Sequence, residues 1–135
     1  MSVRRSPAIV LSLALGAAAL SVAPALAKDG GATKDGPRKD CSGTSEVRLV
    51  VKRIDGNADR FEVVGAVFSA DDDVWSWKMR HDGDVSAQGE VRARNDIDRS
   101  FRVARTMLDF PGSDTVVFRA DNQRTGETCR LSREY

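Results

Sequence analysis

Residues 74–94 read Val-Trp-Ser-Trp-Lys-Met-Arg-His-Asp-Gly-Asp-Val-Ser-Ala-Gln-Gly-Glu-Val-Arg-Ala-Arg, and this stretch decides the fold class. Trp75, Trp77 and Met79 alternate with Ser76, Lys78 and Arg80. Successive side chains of a strand point to opposite faces, so a period of two marks a half-buried strand. Asp82-Gly83 follows, and both residues tolerate the positive φ angles of a two-residue hairpin turn. Val85, Ala87, Val91 and Ala93 then alternate with Ser86, Gln88, Glu90, Arg92 and Arg94. The stretch predicts two antiparallel strands.

The same period continues on both sides. Upstream, Val47, Leu49 and Val51 alternate with Glu46, Arg48 and Lys52. Asp55-Gly56 marks a turn, and Phe61, Val63, Gly65 and Val67 form the next inward face before Asp71-Asp72-Asp73 interrupts it. Downstream, a polar turn is expected over residues 95–98. Phe101, Val103 and Met107 line a fifth strand, and Val116, Phe118 and Ala120 a sixth. Gln123-Arg124-Thr125-Gly126 turns the chain into the last strand, where Cys129, Leu131 and Tyr135 share a face. No segment keeps an apolar helical period for three turns. Seven short strands between turn signals predict an all-β fold, a seven-stranded antiparallel β-sandwich, with a small β-barrel as the alternative. Arg105 shares the parity of Phe101, Val103 and Met107. A β-bulge, or a strand end leaving the core, is the expected explanation.

The N-terminus has a different composition. Arg4 and Arg5 precede an apolar run from Ala8 to Leu20, then Pro24 and Ala25-Leu26-Ala27. Positive charge, apolar run and small residues before a cleavage point make residues 1–27 a signal peptide cleaved after Ala27, and the protein secreted. The alternative is an uncleaved anchor over residues 8–27, a stretch just long enough to span a bilayer. Residues 28–40 hold one Ala and no larger apolar side chain, which predicts a flexible linker. The folded domain is then 41–135.

Of 21 basic and 20 acidic residues, the signal removes two arginines, leaving 19 and 20 and a net charge of −1. Basic and acidic residues are interleaved, without the basic stripe that captures phosphates, so no nucleic-acid partner is expected. After signal removal no membrane association is expected either, and the length fits one domain, taken as a monomer.

Cys41 and Cys129 are the only cysteines, 88 positions apart. In an oxidising compartment an isolated pair closes a disulfide. Closing so long a loop stabilises by about 4–5 kcal/mol in the chain-entropy account. With two Cys and one His, no Cys/His zinc set can be assembled.

Residues 117–126, Val-Phe-Arg-Ala-Asp-Asn-Gln-Arg-Thr-Gly, resemble the penultimate strand and hairpin of fibronectin type III and related immunoglobulin-like domains. Trp75 or Trp77 fits the core Trp of such sandwiches. Two departures stand beside the likeness: the cysteines lie at the first and last strands rather than on B and F, and Tyr135 is the only Tyr, so no tyrosine corner is present. The mature chain as a whole is also similar to small secreted bacterial proteins of unassigned function. Neither likeness carries a catalytic residue, and sandwiches host many unrelated functions.

Candidate chemistry is sparse. His81, the only histidine, is expected to be solvated at a strand end, and no Gly-x-Ser-x-Gly elbow accompanies it. Asp55-Gly56-Asn57-Ala58-Asp59 copies the first half of an EF-hand loop. Arg60 and Ala66 stand where Gly at position 6 and Glu at position 12 are needed, so it reads as a polar turn. Asp71, Asp72 and Asp73 are calcium candidates, with solvation as the default. Trp75 and Trp77 either fill the core with Met79 and Phe118 or form an aromatic platform for sugars. Core burial is the preferred reading, with one indole near an edge. No cofactor and no catalytic residue is expected. The resulting expectation is a secreted, non-catalytic binding module for an extracellular protein or an envelope glycan. The alternatives are a small secreted enzyme or an inhibitor presenting one of the loops 55–59, 71–73 and 123–126.

Overall fold

Asp82 and Gly83 both adopt positive φ, +47° and +90°, in the turn that joins His81 to Asp84. That is the type I′ geometry whose twist suits a two-residue hairpin. A computed structural model describes residues 36–94 and 99–135 of the protein. Eight strands form among them: β1 (Lys39–Asp40), β2 (Glu46–Ile54), β3 (Asn57–Phe68), β4 (Val74–His81), β5 (Asp84–Arg92), β6 (Phe101–Leu108), β7 (Thr115–Asn122) and β8 (Thr128–Glu134). They build two antiparallel sheets, ordered β1-β2-β3-β6 and β5-β4-β7-β8, and neither closes into a barrel. The sandwich expectation holds, with eight strands in place of seven.

The extra strand is β1, inside the segment expected to be linker. Lys39 and Asp40 pair with Val47 and Glu46. No side-chain pattern announces it, because the pairing is made by backbone groups at the free edge of β2. The signal-peptide reading of residues 1–27, most of the linker reading and the turn over residues 95–98 lie outside the described residues.

The core sits between the sheets. Val47, Leu49, Phe61, Val63 and Val67 from one sheet meet Trp75, Met79, Val116, Phe118 and Ala120 from the other, all fully buried. Gly65 shares the inward parity of Val63 and Val67, and a Cβ there would stand 2.7 Å from the Phe118 ring. Phe118 therefore occupies the space that a side chain at position 65 would need.

Cys41 and Cys129 form a disulfide with Cα atoms 4.4 Å apart. It ties the segment between β1 and β2 to β8, and so joins one sheet to the other. Around it Cys41 N donates to Ser45 O at 2.8 Å, and Ser42 N donates to Thr128 O at 2.8 Å. The Glu127 carboxylate accepts from Ser45 N at 2.8 Å and Ser45 Oγ at 3.0 Å. The bridge is compatible with an extracellular location.

Candidate functional site

Strand parity determines where each candidate side chain lies. Trp75 is fully buried, and its indole N–H donates to Asp71 Oδ1 at 3.1 Å, so the one polar atom of the ring is satisfied. Trp77 lies at the sandwich edge, 7% exposed. Its cross-strand partner is Gly89, where a Cβ would approach the indole to 3.2 Å. The Arg105 guanidinium covers the ring at 5.0 Å from its centroid. Both indoles are thus core residues, with Trp77 near the rim.

Arg105 corrects an expectation. The pairing of β3 with β6 runs without a break from Arg60–Leu108 to Val67–Phe101, so no bulge expels Arg105. It keeps its inward parity on an edge strand and escapes burial by reaching across the open side of the sandwich to Trp77.

His81 is a second correction. It continues the inward parity of Trp75, Trp77 and Met79, and its side chain is only 9% exposed. Phe61 meets it edge-on at 5.4 Å and Phe110 stacks on it at 5.2 Å. His81 Nε2 lies 2.8 Å from Asp114 Oδ1 and 3.5 Å from Asp82 Oδ2. Burial, the largest single influence, pushes the Asp114 carboxyl up, but the hydrogen bonds with His81, Asp109 and Asp82 and the attraction to His81 together outweigh it and hold the group below the usual carboxylate range. With Asp114 ionised, the imidazole N–H is the donor. Among the described residues this is the only trio of His, Cys, Asp or Glu whose ligand atoms lie within 4.8 Å of one another. Its members are already engaged. Asp82 Oδ1 accepts from Thr115 N at 2.8 Å, and Asp114 Oδ2 accepts from Phe110 N at 3.3 Å. The trio pins the β4–β5 hairpin to the β6–β7 loop.

The acidic loop 71–73 is held by protein cations. Arg124 donates to Asp73 through Nε at 2.6 Å and Nη2 at 2.8 Å, and Asn122 Nδ2 adds a third bond at 3.0 Å. The Arg124 bond, with help from Asn122, holds the Asp73 carboxyl low. Asp71 accepts from Trp75 and from Asp73 N, while Asp72 stays exposed and its carbonyl accepts from Arg92. The structure therefore brings loop 71–73 to the turn at 123–126. Loop 55–59 lies at the other end: Asp55-Gly56 forms the β2–β3 turn, and Asp59 O accepts from Asp109 N.

A concavity of about 740 Å3 lies on the outer face of the β5-β4-β7-β8 sheet. Trp77, Lys78, Gln88, Glu90, Arg119 and Arg130 are among the residues that line it. Gln123 Nε2 bridges Ser76 Oγ at 2.8 Å and Glu90 Oε1 at 2.7 Å. Arg119 and Asp121 pair at 2.9 Å, which raises the Arg119 guanidinium and lowers the Asp121 carboxyl. The alternation of polar residues marks this as the solvent face of the sheet, but strand pairing is what assembles it.

No protein-family profile matches the chain, and a search of characterised proteins finds none similar to it.

Proposed function

We propose that this is an exported, non-catalytic binding module with an immunoglobulin-like sandwich of the fibronectin type III kind. In this reading it recognises an extracellular protein through the outer face of the β5-β4-β7-β8 sheet. The strand order supports the fold reading. β2, β3 and β6 correspond to strands A, B and E of such domains, and β5, β4, β7 and β8 to C′, C, F and G. The single observation carrying the functional reading is the concavity on that face, where polar side chains are already fixed by one another. Preorganised polar groups lower the ordering cost of association. A protein partner is favoured over a neutral glycan because Trp75 is fully buried and Trp77, although it lines the concavity, is only 7% exposed, too little surface for a sugar to stack on. No observation favours the enzyme alternative.

The test is a photo-crosslinking amino acid placed at Gln88 in the secreted protein. The expected result is an adduct with another secreted protein, competed by unlabelled protein and lost on combining Arg119→Glu with Arg130→Glu. Absence of an adduct, or an adduct indifferent to those substitutions, overturns the reading. Sedimentation with isolated cell walls that depends on the same residues would replace it with glycan recognition.

A further inference from the structure

The opposite sheet carries a different surface. Arg48 on β2 pairs across the strands with Ala66 on β3, and Ala66 pairs with Arg102 on β6. Two arginines therefore flank one alanine in a single row, about 10 Å apart at their Cα atoms by the spacing of adjacent strands. Arg38, Lys52 and Arg99 join them around a recess of about 320 Å3, and among the described residues no carboxylate lines it. Glu46 and Glu62 lie outside the lining and pair with Arg38 at 3.2 Å and Lys52 at 2.9 Å.

The floor explains why the cations stay in place. Val64 and Ala66 point outward yet are only 8% and 5% exposed. Phe68 lies beside them, 3.6 Å beneath the Arg38 guanidinium and 5.0 Å from that of Arg48. Arginine stems cover apolar surface while the heads face water, and stacking on the ring orients them. The fixed fork of a guanidinium matches a carboxylate, sulfate or phosphate.

We infer that this face binds an acidic polysaccharide, with Arg48 and Arg102 taking one oxyanion group over Ala66 and the flanking cations taking its neighbours along the chain. Lys52 stands four residues beyond Arg48 on β2, about 13 Å along the strand, which suits repeated charge better than a single anion. The floor is nearly closed, so it offers no pocket for the apolar anchor that a protein or acyl chain brings. A net charge of only +1 over the whole chain supplies little general attraction for polyanions, so the effect must be local to this face. The face lies on the sheet opposite the concavity described above, so the two readings fail separately.

Affinity electrophoresis of the disulfide-intact protein tests it, in gels cast with polygalacturonate, dextran sulfate or neutral dextran. Retardation is expected in one or both acidic gels, which distinguishes carboxylate from sulfate recognition. None is expected in neutral dextran, and the effect should fade with added salt. Arg99→Glu with Arg102→Glu should weaken binding by about tenfold or more, the milder Arg99→Gln with Arg102→Gln less so. Lys78→Glu with Arg130→Glu, on the opposite sheet, should leave it unchanged. The inference is overturned by no retardation, by equal binding to poly-glutamate or duplex DNA, or by equal loss from either pair of reversals.

Discussion

Arg105 lies over the indole of Trp77, its guanidinium carbon 5.0 Å from the ring centroid, although its parity along β6 points it toward the core. β6 and β5 are the free edges on one side of the sandwich. An unpaired edge recruits other strands, and an inward-pointing charge is one way to deter them. β5 carries its own irregularity, an extra residue at Ser86 where the pairing shifts between Met79 and Arg80. Replacing Arg105 by Val should extend the apolar face of β6 to its edge and promote self-association. Sedimentation velocity over a range of concentrations checks this, and a variant that stays monomeric throughout removes the edge-guard role.

Tryptophan emission should be blue-shifted and poorly quenched by acrylamide, because Trp75 is fully buried and Trp77 nearly so. Arg105→Ala should raise the quenchable fraction by uncovering Trp77 alone. A red-shifted wild-type spectrum would contradict the placement of both rings.

Gly65→Ala should destabilise the domain by about 1–3 kcal/mol, the usual cost of overpacking a filled core. The added methyl meets Phe118 at 2.7 Å. The urea midpoint of the variant measures the cost, and Phe118→Leu in the same background should recover part of it.

Stability should fall in acid, with a sign set by Asp114. Its folded pKa lies below the value in the unfolded chain, near 3.9. The ionised group therefore contributes stability that is fully present above that value and lost as pH falls through the lower, folded one. Asp73 and Asp121 act in the same direction, to a lesser extent because they are more exposed. Asp114→Asn should lower stability at neutral pH and flatten its decline below pH ~4. Urea midpoints between pH 7 and 2.5 read both effects, and parallel curves for variant and wild type would remove Asp114 from this role.

Reducing the Cys41–Cys129 bridge, or replacing both residues with Ser, should cost up to about 4–5 kcal/mol, since it closes a loop with a separation of 88 residues. Equal urea midpoints for oxidised and reduced protein would mean that the hydrogen bonds around Ser45 and Glu127 hold the two sheets together unaided.

Much of this architecture is legible along the chain. Trp75, Trp77 and Met79 announce β4, Asp82-Gly83 announces its turn, and the cysteine pair announces the closure of the ends. His81 was legible as well, since it continues the parity of those three residues. The adjacent Asp82-Gly83 turn signals solvent instead, and what covers the ring is Phe61 from β3 and Phe110 from the β6–β7 loop, both distant in the chain. The two-residue β1 had no readable signal, because backbone pairing at an edge leaves no side-chain pattern.

The charges divide the two levels most clearly. Local alternation decided which residues face outward, because the period of a strand is a property of its backbone. It also decided the fold class, while the isolated pair Cys41 and Cys129 decided the disulfide. Which outward residues become neighbours was decided only by strand pairing, which joins residues far apart in the chain. Arg48 and Arg102 are interleaved with acidic residues in the sequence, yet pairing through Ala66 puts them in one row with no carboxylate between them. Register across three strands is a tertiary choice, made by the fit of Gly65 to Phe118 and its neighbours in the core.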